Sequence, residues 1–318
     1  MPDIGYALSS EEHGPNDLVR NAQRAEESGF RFALISDHYH PWVSAQGHSP
    51  FVWSVIGGIA QATDALRLGT GVTCPIMRIH PAIIAQAAAT SAAMMPGRFF
   101  LGVGTGENLN EHVLGIRWPP FDVRLDMFEE AIEIIRLLWE GENVSYWGEF
   151  YTVEDARLFT VPDSPPPLYV AASGEVMAEA AGELGDGFIT TSPKKELVQA
   201  YGSGGGEGPR IGQLTVCWAP TKEEAIETVY KIWPNSGLPG ELSAELRTVE
   251  HFEQAVKLVT KEQASKDMPV GPNAQEHIDG IQKYLDAGFD QVYIHQIGHE
   301  QEGFFQFYAQ EVLPSFHN

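Results

Sequence analysis

Ser36, Asp37, His38, His40 and Trp42 stand within seven positions, directly after the apolar run Phe32, Ala33, Leu34 and Ile35. An apolar strand that ends in a carboxylate, two imidazoles and an indole reads as a strand opening into a reactive site. His38 is suited to general acid–base work because an unperturbed imidazole titrates near neutrality. Asp37 can fix a neighbouring group or bind a ligand directly. A second group follows another apolar run: Gly102, Gly104 and Gly106 lead into Glu107. Glycines at that density let backbone approach a flat ligand, with Glu107 as a second acid–base group. They do not form the helix-opening G-x-G-x-x-G of a dinucleotide fold. Ser173 and Gly174 precede a helix start, where free N–H groups and the helix dipole suit a phosphate. No H-E-x-x-H, C-x-x-C, Walker loop or nucleophile elbow occurs, so no metal site is expected.

These residues need a scaffold, and the alternation of apolar runs with helical patterns supplies one. Strands are expected at 4–8, 32–36, 66–72, 99–103, 168–172, 188–191, 214–219 and 292–296. Helices fall between them, among them 51–63, 82–94, 123–139, 176–184, 222–232 and 275–287. A hairpin is expected at 144–153 with Gly148 at its turn, and a closing helix at 304–313. The strands are short, apolar and without period-two alternation, as in a parallel sheet covered on both faces. Eight such units predict an α/β fold of the (β/α)₈ TIM-barrel type. Residues 1–318 read as a single barrel domain, with an insertion around 234–272 before the last βα unit. In such barrels functional side chains sit at the C-terminal strand ends. That rim then collects Glu11, Asp37, His38, Trp42, Cys74, Arg78, Thr105, Glu107, Asn110, Thr191, Lys194 and His295. Arg78, His80 and Trp53 are assigned to packing.

Composition narrows the partners. Acidic residues outnumber basic ones 43 to 20, for a net charge of −23. That field repels nucleic acid and anionic lipid, which leaves a small-molecule substrate as the expected partner. The only cysteines, Cys74 and Cys217, are far apart, which suits a reducing cytoplasm. No secretory signal and no apolar run long enough to span a membrane are present.

Several motifs in order resemble the luciferase-like flavin superfamily. They are Ser36-Asp37-His38 with Pro41-Trp42, Gly69-Thr70-Gly71-Val72 with Pro75, Pro81-Ala82 with Ala85-Gln86, and Gly102 to Asn110. Gly185-Asp186-Gly187-Phe188 and Gly298-His299 fit as well. The likeness is to the branch that uses the deazaflavin coenzyme F420, typified by the glucose-6-phosphate dehydrogenases. It implies a dehydrogenase moving a hydride between an alcohol-type substrate, a sugar phosphate or a small alcohol, and F420. An FMN-dependent monooxygenase is the alternative. The resemblance further implies that His38 takes the substrate hydroxyl proton and that Glu107 protonates the reduced ring. Trp42 and Glu11 would shape or stabilise the site. Asp37, Cys74, Thr105 and Gly106 would lie near the cofactor, and Gly71-Val72 would form a cis-peptide bulge behind its ring. Asn110, Ser173, Gly174, Val176 and Met177 would hold its side chain and phosphate. Thr191, Lys194 and Arg247 would bind the substrate, without one arginine of the phosphate clamp. A homodimer through barrel helices is also implied.

Overall fold

In the computed structural model, described over residues 2–316, ten strands alternate with helices. The strands are β1 (Asp3–Leu8), β2 (Phe32–Ile35), β3 (Arg67–Thr70), β4 (Phe99–Val103), β5 (Val144–Trp147), β6 (Thr152–Ala156), β7 (Leu168–Ala171), β8 (Gly187–Thr190), β9 (Arg210–Val216) and β10 (Gln291–Gln296). Eight of them close a parallel barrel in the order β1-β10-β9-β8-β7-β4-β3-β2, while β5 and β6 form the antiparallel hairpin. The expected (β/α)₈ architecture is therefore present.

The strands lack alternation because both faces are buried. Ala7, Phe32, Leu34, Phe100, Tyr169 and Ile189 pack inside the barrel. Ile4, Leu8, Ala33, Ile35, Leu101 and Val170 point outward and meet the helices. The interior fits because large and small residues face one another. The Phe32 ring lies against Gly5 and the Phe100 ring against Gly69, where a Cβ would overlap the ring. Helix boundaries follow local chemistry. Pro15 opens the helix Pro15–Ser28, and Gly29, with φ 98°, ends it. Thr221 caps the helix Lys222–Ile232 by accepting the Glu224 N–H.

Three expected boundaries move. The strand expected at 214–219 runs from Arg210 to Val216, because Arg210 is held against Asp290 by side-chain and backbone hydrogen bonds of 2.8–3.0 Å. Those polar pairings at the barrel base leave no apolar signal. The strand expected at 66–72 stops at Thr70, and Gly71–Val72 beyond it is a cis peptide. The closing helix expected at 304–313 begins at Gln301, becomes a π-helical turn over Tyr308–Val312 and ends in a 3-10 turn at Leu313–Ser315. Pro314 has no N–H to continue it. The 234–272 segment contains the short helices Leu242–Glu245, Val249–Ala255 and Lys261–Ala264. It is seated on the rim through Phe252, which meets Trp42 edge-on at 5.1 Å between ring centres. No helix among the described residues is long and apolar enough to cross a membrane.

Candidate active site

Because all eight barrel strands are parallel, their C-terminal ends deliver side chains to one rim. His38, just past β2, is the meeting point. Its Nδ1 lies 3.0 Å from Glu11 Oε1, delivered by β1. The oxygen sits off the line of a ring N–H, so the attraction is mainly Coulombic. On the opposite side, Nε2 lies 3.6 Å from Glu107 Oε2, delivered by β4. That gap is too wide for a direct hydrogen bond and leaves Nε2 facing the mouth. Trp42 closes one flank, edge-on to His38 at 5.1 Å. It is buried with Val43, Leu109 and Phe252, so an apolar wall stands beside the imidazole.

Glu11 is held in place by hydroxyls. Its Oε2 accepts from Ser36 Oγ at 2.6 Å and from Ser9 Oγ at 3.1 Å. Ser36 Oγ in turn accepts the Ser10 N–H at 2.9 Å. Burial alone would push the His38 imidazolium down. The Glu11 and Glu107 carboxylates beside it outweigh that and raise it to about 9. Burial alone would push the Glu11 carboxyl up, yet His38 and the Ser36 hydroxyl hold it well below the usual range.

The Asp37 carboxylate is buried beneath this layer. Thr73 Oγ1 donates to its Oδ2 at 2.7 Å, and Arg78 Nη2 donates to its Oδ1 at 2.9 Å. Arg78 also donates to the Asp37 carbonyl at 3.0 Å, and its backbone N–H donates to Glu111 Oε2 at 2.9 Å. The three side chains are 6% exposed for Arg78 and 1% for Asp37 and Glu111. Burial pushes Glu111 up to about 7 in spite of Arg78. Arg78, expected to pack rather than to catalyse, packs through its charge: it is the cation that ties the loops after β2, β3 and β4 together. No linear pattern marks it, since its two partners come from other loops. His80 and Trp53 are structural, as expected: His80 caps the helix Pro81–Met94 by accepting the Ala82 N–H, and Trp53 packs against the core.

The remaining rim residues divide by exposure. Cys74 is buried under the Gly106 turn, and burial pushes its thiol well up. Thr105 and Gly106 are partly exposed. Gly71–Val72 forms the bulge at the top of β3, with Val72 packed on the barrel interior. Ser173, Gly174 and Val176 are exposed at the start of the helix Glu175–Leu184, which has no side-chain cap. Met177 is buried there, which leaves only its backbone for any ligand. Thr191, Lys194 and Arg247 are all exposed. Among the described residues, no hydrogen bond or ion pair joins these three to one another or to His38. Asn110 is 1% exposed, and its amide faces protein on both sides. Glu12, which motif reasoning left unused, accepts from the Gly298 N–H at 2.7 Å and meets His295 Nε2 at 3.0 Å.

A parallel eight-stranded barrel with an imidazole held between two carboxylates at its C-terminal rim defines the class of this protein. Within that class the chain belongs to the luciferase-like monooxygenase family, whose model matches residues 1–291. It is 36% identical to an F420-dependent glucose-6-phosphate dehydrogenase of Microbacterium testaceum (strain StLB037), over 98% of this chain and 96% of that one. The corresponding enzyme of Kribbella flavida is 37% identical, over 98% and 97%. Among solved structures, an F420-dependent secondary alcohol dehydrogenase in complex with an F420-acetone adduct superposes with a TM-score of 0.91. It is 28% identical, with 100% of this chain and 99% of that chain covered.

Proposed function

We propose that this protein is an F420-dependent oxidoreductase that moves a hydride between an alcohol-type substrate and the deazaflavin. The observation that carries this reading is His38 standing between Glu11 and Glu107 at the rim, next to the Gly71–Val72 bulge. The residues present fit the cofactor. The bulge and Gly104 offer a small-residue floor for a planar ring, where a Cβ on Gly104 would meet Val72. The uncapped helix start at Gly174 has open space where a Cβ would stand, and exposed N–H groups for a phosphate. Ser173, Gly174, Val176 and Met177 are assigned to that end, the last through backbone, with Cys74, Thr105 and Gly106 beneath the other.

The bound F420 supplies the hydride acceptor or donor. Protein groups move the protons. His38 Nε2 exchanges the proton of the substrate oxygen, and Glu107 exchanges the proton that accompanies the hydride to or from the ring. With the imidazole raised to about 9, the resting protein holds its proton on His38 at neutral pH. That state is ready to protonate the oxygen of a carbonyl being reduced. Alcohol oxidation needs the proton on Glu107 instead; His38 Nε2 and Glu107 Oε2 stand 3.6 Å apart, so one proton moves between them through a single bridging water or once the two close to hydrogen-bond distance. Glu11 stabilises the imidazolium in both directions. Asp37 acts from below through Arg78 and Thr73. The apolar wall at Trp42 and the absence of one arginine from the phosphate clamp favour a small alcohol–ketone pair over a sugar phosphate.

The test is to mix the protein with F420 and a panel of secondary alcohols and sugar phosphates, including glucose 6-phosphate. Loss of the visible band of oxidised F420 is expected with small alcohols. Absence of F420 binding sinks the proposal, and tight FMN binding with oxygen consumption replaces it by a monooxygenase. A homodimer is proposed through the helices Val52–Ala62 and Pro81–Met94. There Phe51, Ile83 and Met94 are exposed around an apolar cavity of about 290 Å³. Sedimentation velocity should give the dimer mass for the native chain, and a monomer would rule this out. Both cysteines are free and buried, which supports a reducing cytoplasm as the working compartment.

A further inference from the structure

We propose that Glu12 and His295 are positioning residues that hold the Trp233 indole in the wall of the substrate space beside Trp42, and so limit the size of the alcohol. The inference rests on the oxidoreductase reading above for its kinetic consequence, while its geometry stands without any cofactor. Trp233 ends the helix Lys222–Ile232, and its N–H reaches the Val229 carbonyl at 2.8 Å. Pro234 follows, and helical geometry is disfavoured in a residue before proline, so the chain leaves the helix at the indole. The indole is half-buried. It packs against the cluster of Trp42, Val43, Leu109 and Phe252 that flanks His38. His295, at the end of β10, meets it edge-on with 4.5 Å between ring centres.

Glu12 fixes the imidazole. Its carboxylate is 0% exposed, with the Gly298 N–H donating to Oε1 at 2.7 Å and His295 Nε2 lying 3.0 Å from Oε2. With both oxygens accepting, Nε2 carries the ring proton, and the ring has one orientation that keeps this bond and the Trp233 edge together. Glu12 adjoins Glu11, the carboxylate beside His38 Nδ1. Contacts therefore run from His38 through Trp42 and its cluster to Trp233, on to His295 and Glu12, and back through Glu11. This circuit encloses the mouth above His38. A second tie holds the backbone: Gln46 accepts the Trp42 N–H at 2.8 Å and donates to Asn235 Oδ1 at 3.2 Å, two residues past Trp233. That tie leaves the indole free to turn about its own side-chain bonds. The His295 edge is the contact that stops it. Without His295 or its carboxylate, the indole can swing aside and leave room for a larger substituent.

The test compares kcat/KM for a compact alcohol that the native protein turns over with F420 and for a bulkier homologue. Trp233→Ala and His295→Ala should each raise the bulky-to-compact ratio about 10-fold, the size of a pocket enlarged by a methylene or more. The F420 Kd should stay within about 3-fold of native. Adding His295→Ala to Trp233→Ala should move the ratio by less than about 2-fold, because a residue that acts through the indole then has nothing to act on. Glu12→Ala should follow His295→Ala. Glu12→Gln should keep the native ratio, since its amide can accept from Gly298 and donate to the other His295 tautomer. In cofactor-free protein labelled with fluorotryptophan, the Trp233 fluorine resonance, assigned by its loss in Trp233→Phe, should shift in His295→Ala and stay in place in Glu12→Gln. If the alanine variants do not fold, His295→Gln, which keeps a donor for Glu12 but lacks the ring edge, carries both arms. An unmoved fluorine resonance, an unchanged ratio or an undiminished His295→Ala effect without the indole overturns the proposal. A native protein that fails to turn over F420 defeats the oxidoreductase reading, yet leaves the fluorine arm able to decide the positioning role.

Discussion

Replacing His38 by asparagine is expected to lower turnover with F420 by roughly 10²–10⁴-fold, the usual contribution of a positioned acid–base group. F420 affinity should change little, because the imidazole is directed at the substrate oxygen rather than at the cofactor tail. Steady-state decay of the oxidised F420 band gives kcat, and fluorescence titration gives the Kd. A variant with native kcat would remove His38 from the proton path. The same substitution has a pH signature in stability. The His38 pKa in the folded protein is raised to about 9 by Glu11 and Glu107. A raised pKa means that the folded state binds the proton more tightly than the unfolded chain. This contribution is complete below the ordinary imidazole value and is lost as the pH rises through about 9. The native protein should therefore exceed His38→Asn in urea midpoint at about pH 6, and the gap should close by about pH 10. The Glu11 side of the pair runs oppositely: its carboxyl is held low, so its share persists at neutral pH and disappears only in strong acid. A gap that is constant with pH would mean that the ion pair adds nothing to folding.

Replacing Arg78 by methionine is expected to destabilise the fold by about 3–5 kcal/mol, the usual result of deleting one partner from a buried charge cluster. Two carboxyl groups, each 1% exposed, would lose their cation, and the Asp37 carbonyl would lose a donor. The loss should depend on pH. Burial already pushes Glu111 up to about 7, and Arg78 is the main influence that opposes this rise. Without Arg78, Glu111 takes up a proton more readily, and the protonated form is tolerated when buried. The deficit should consequently be smaller at about pH 5 than at about pH 8, as read from urea midpoints. Arg78→Lys should recover only part of the loss, because an ammonium cannot replace the planar fork that reaches Asp37 and Glu111 together. A loss under about 1 kcal/mol at about pH 8 would show that these charges are solvated and that the cluster does not tie the rim together.

Arg78 also marks the boundary between local and tertiary information. Strand positions in the first half, such as 99–103, were legible because a buried parallel strand must be a short apolar run between helix signals. β9 was legible only from Leu214 onward: Arg210 and Gln213 carry no apolar signal, and their place in the sheet depends on Asp290 and the neighbouring strands. The same division holds at the rim. Ser36, Asp37 and His38 adjoin in the chain, and the parallel-barrel rule places Glu11 and Glu107 at the same end. Side-chain direction, however, is set by packing. Adjacent residues on a loop point different ways, so His38 faces the mouth while the Asp37 carboxylate is buried under Arg78. Asn110 likewise lies within a recognisable motif, and its three hydrogen bonds are fixed only when the loops after β2 and β4 meet. Residue types and strand ends are local properties and survive in one dimension. The pairing of Arg78 with Glu111 and Asp37, and the placing of His38 between two carboxylates, depend on barrel closure, which brings together loops separated by dozens of residues.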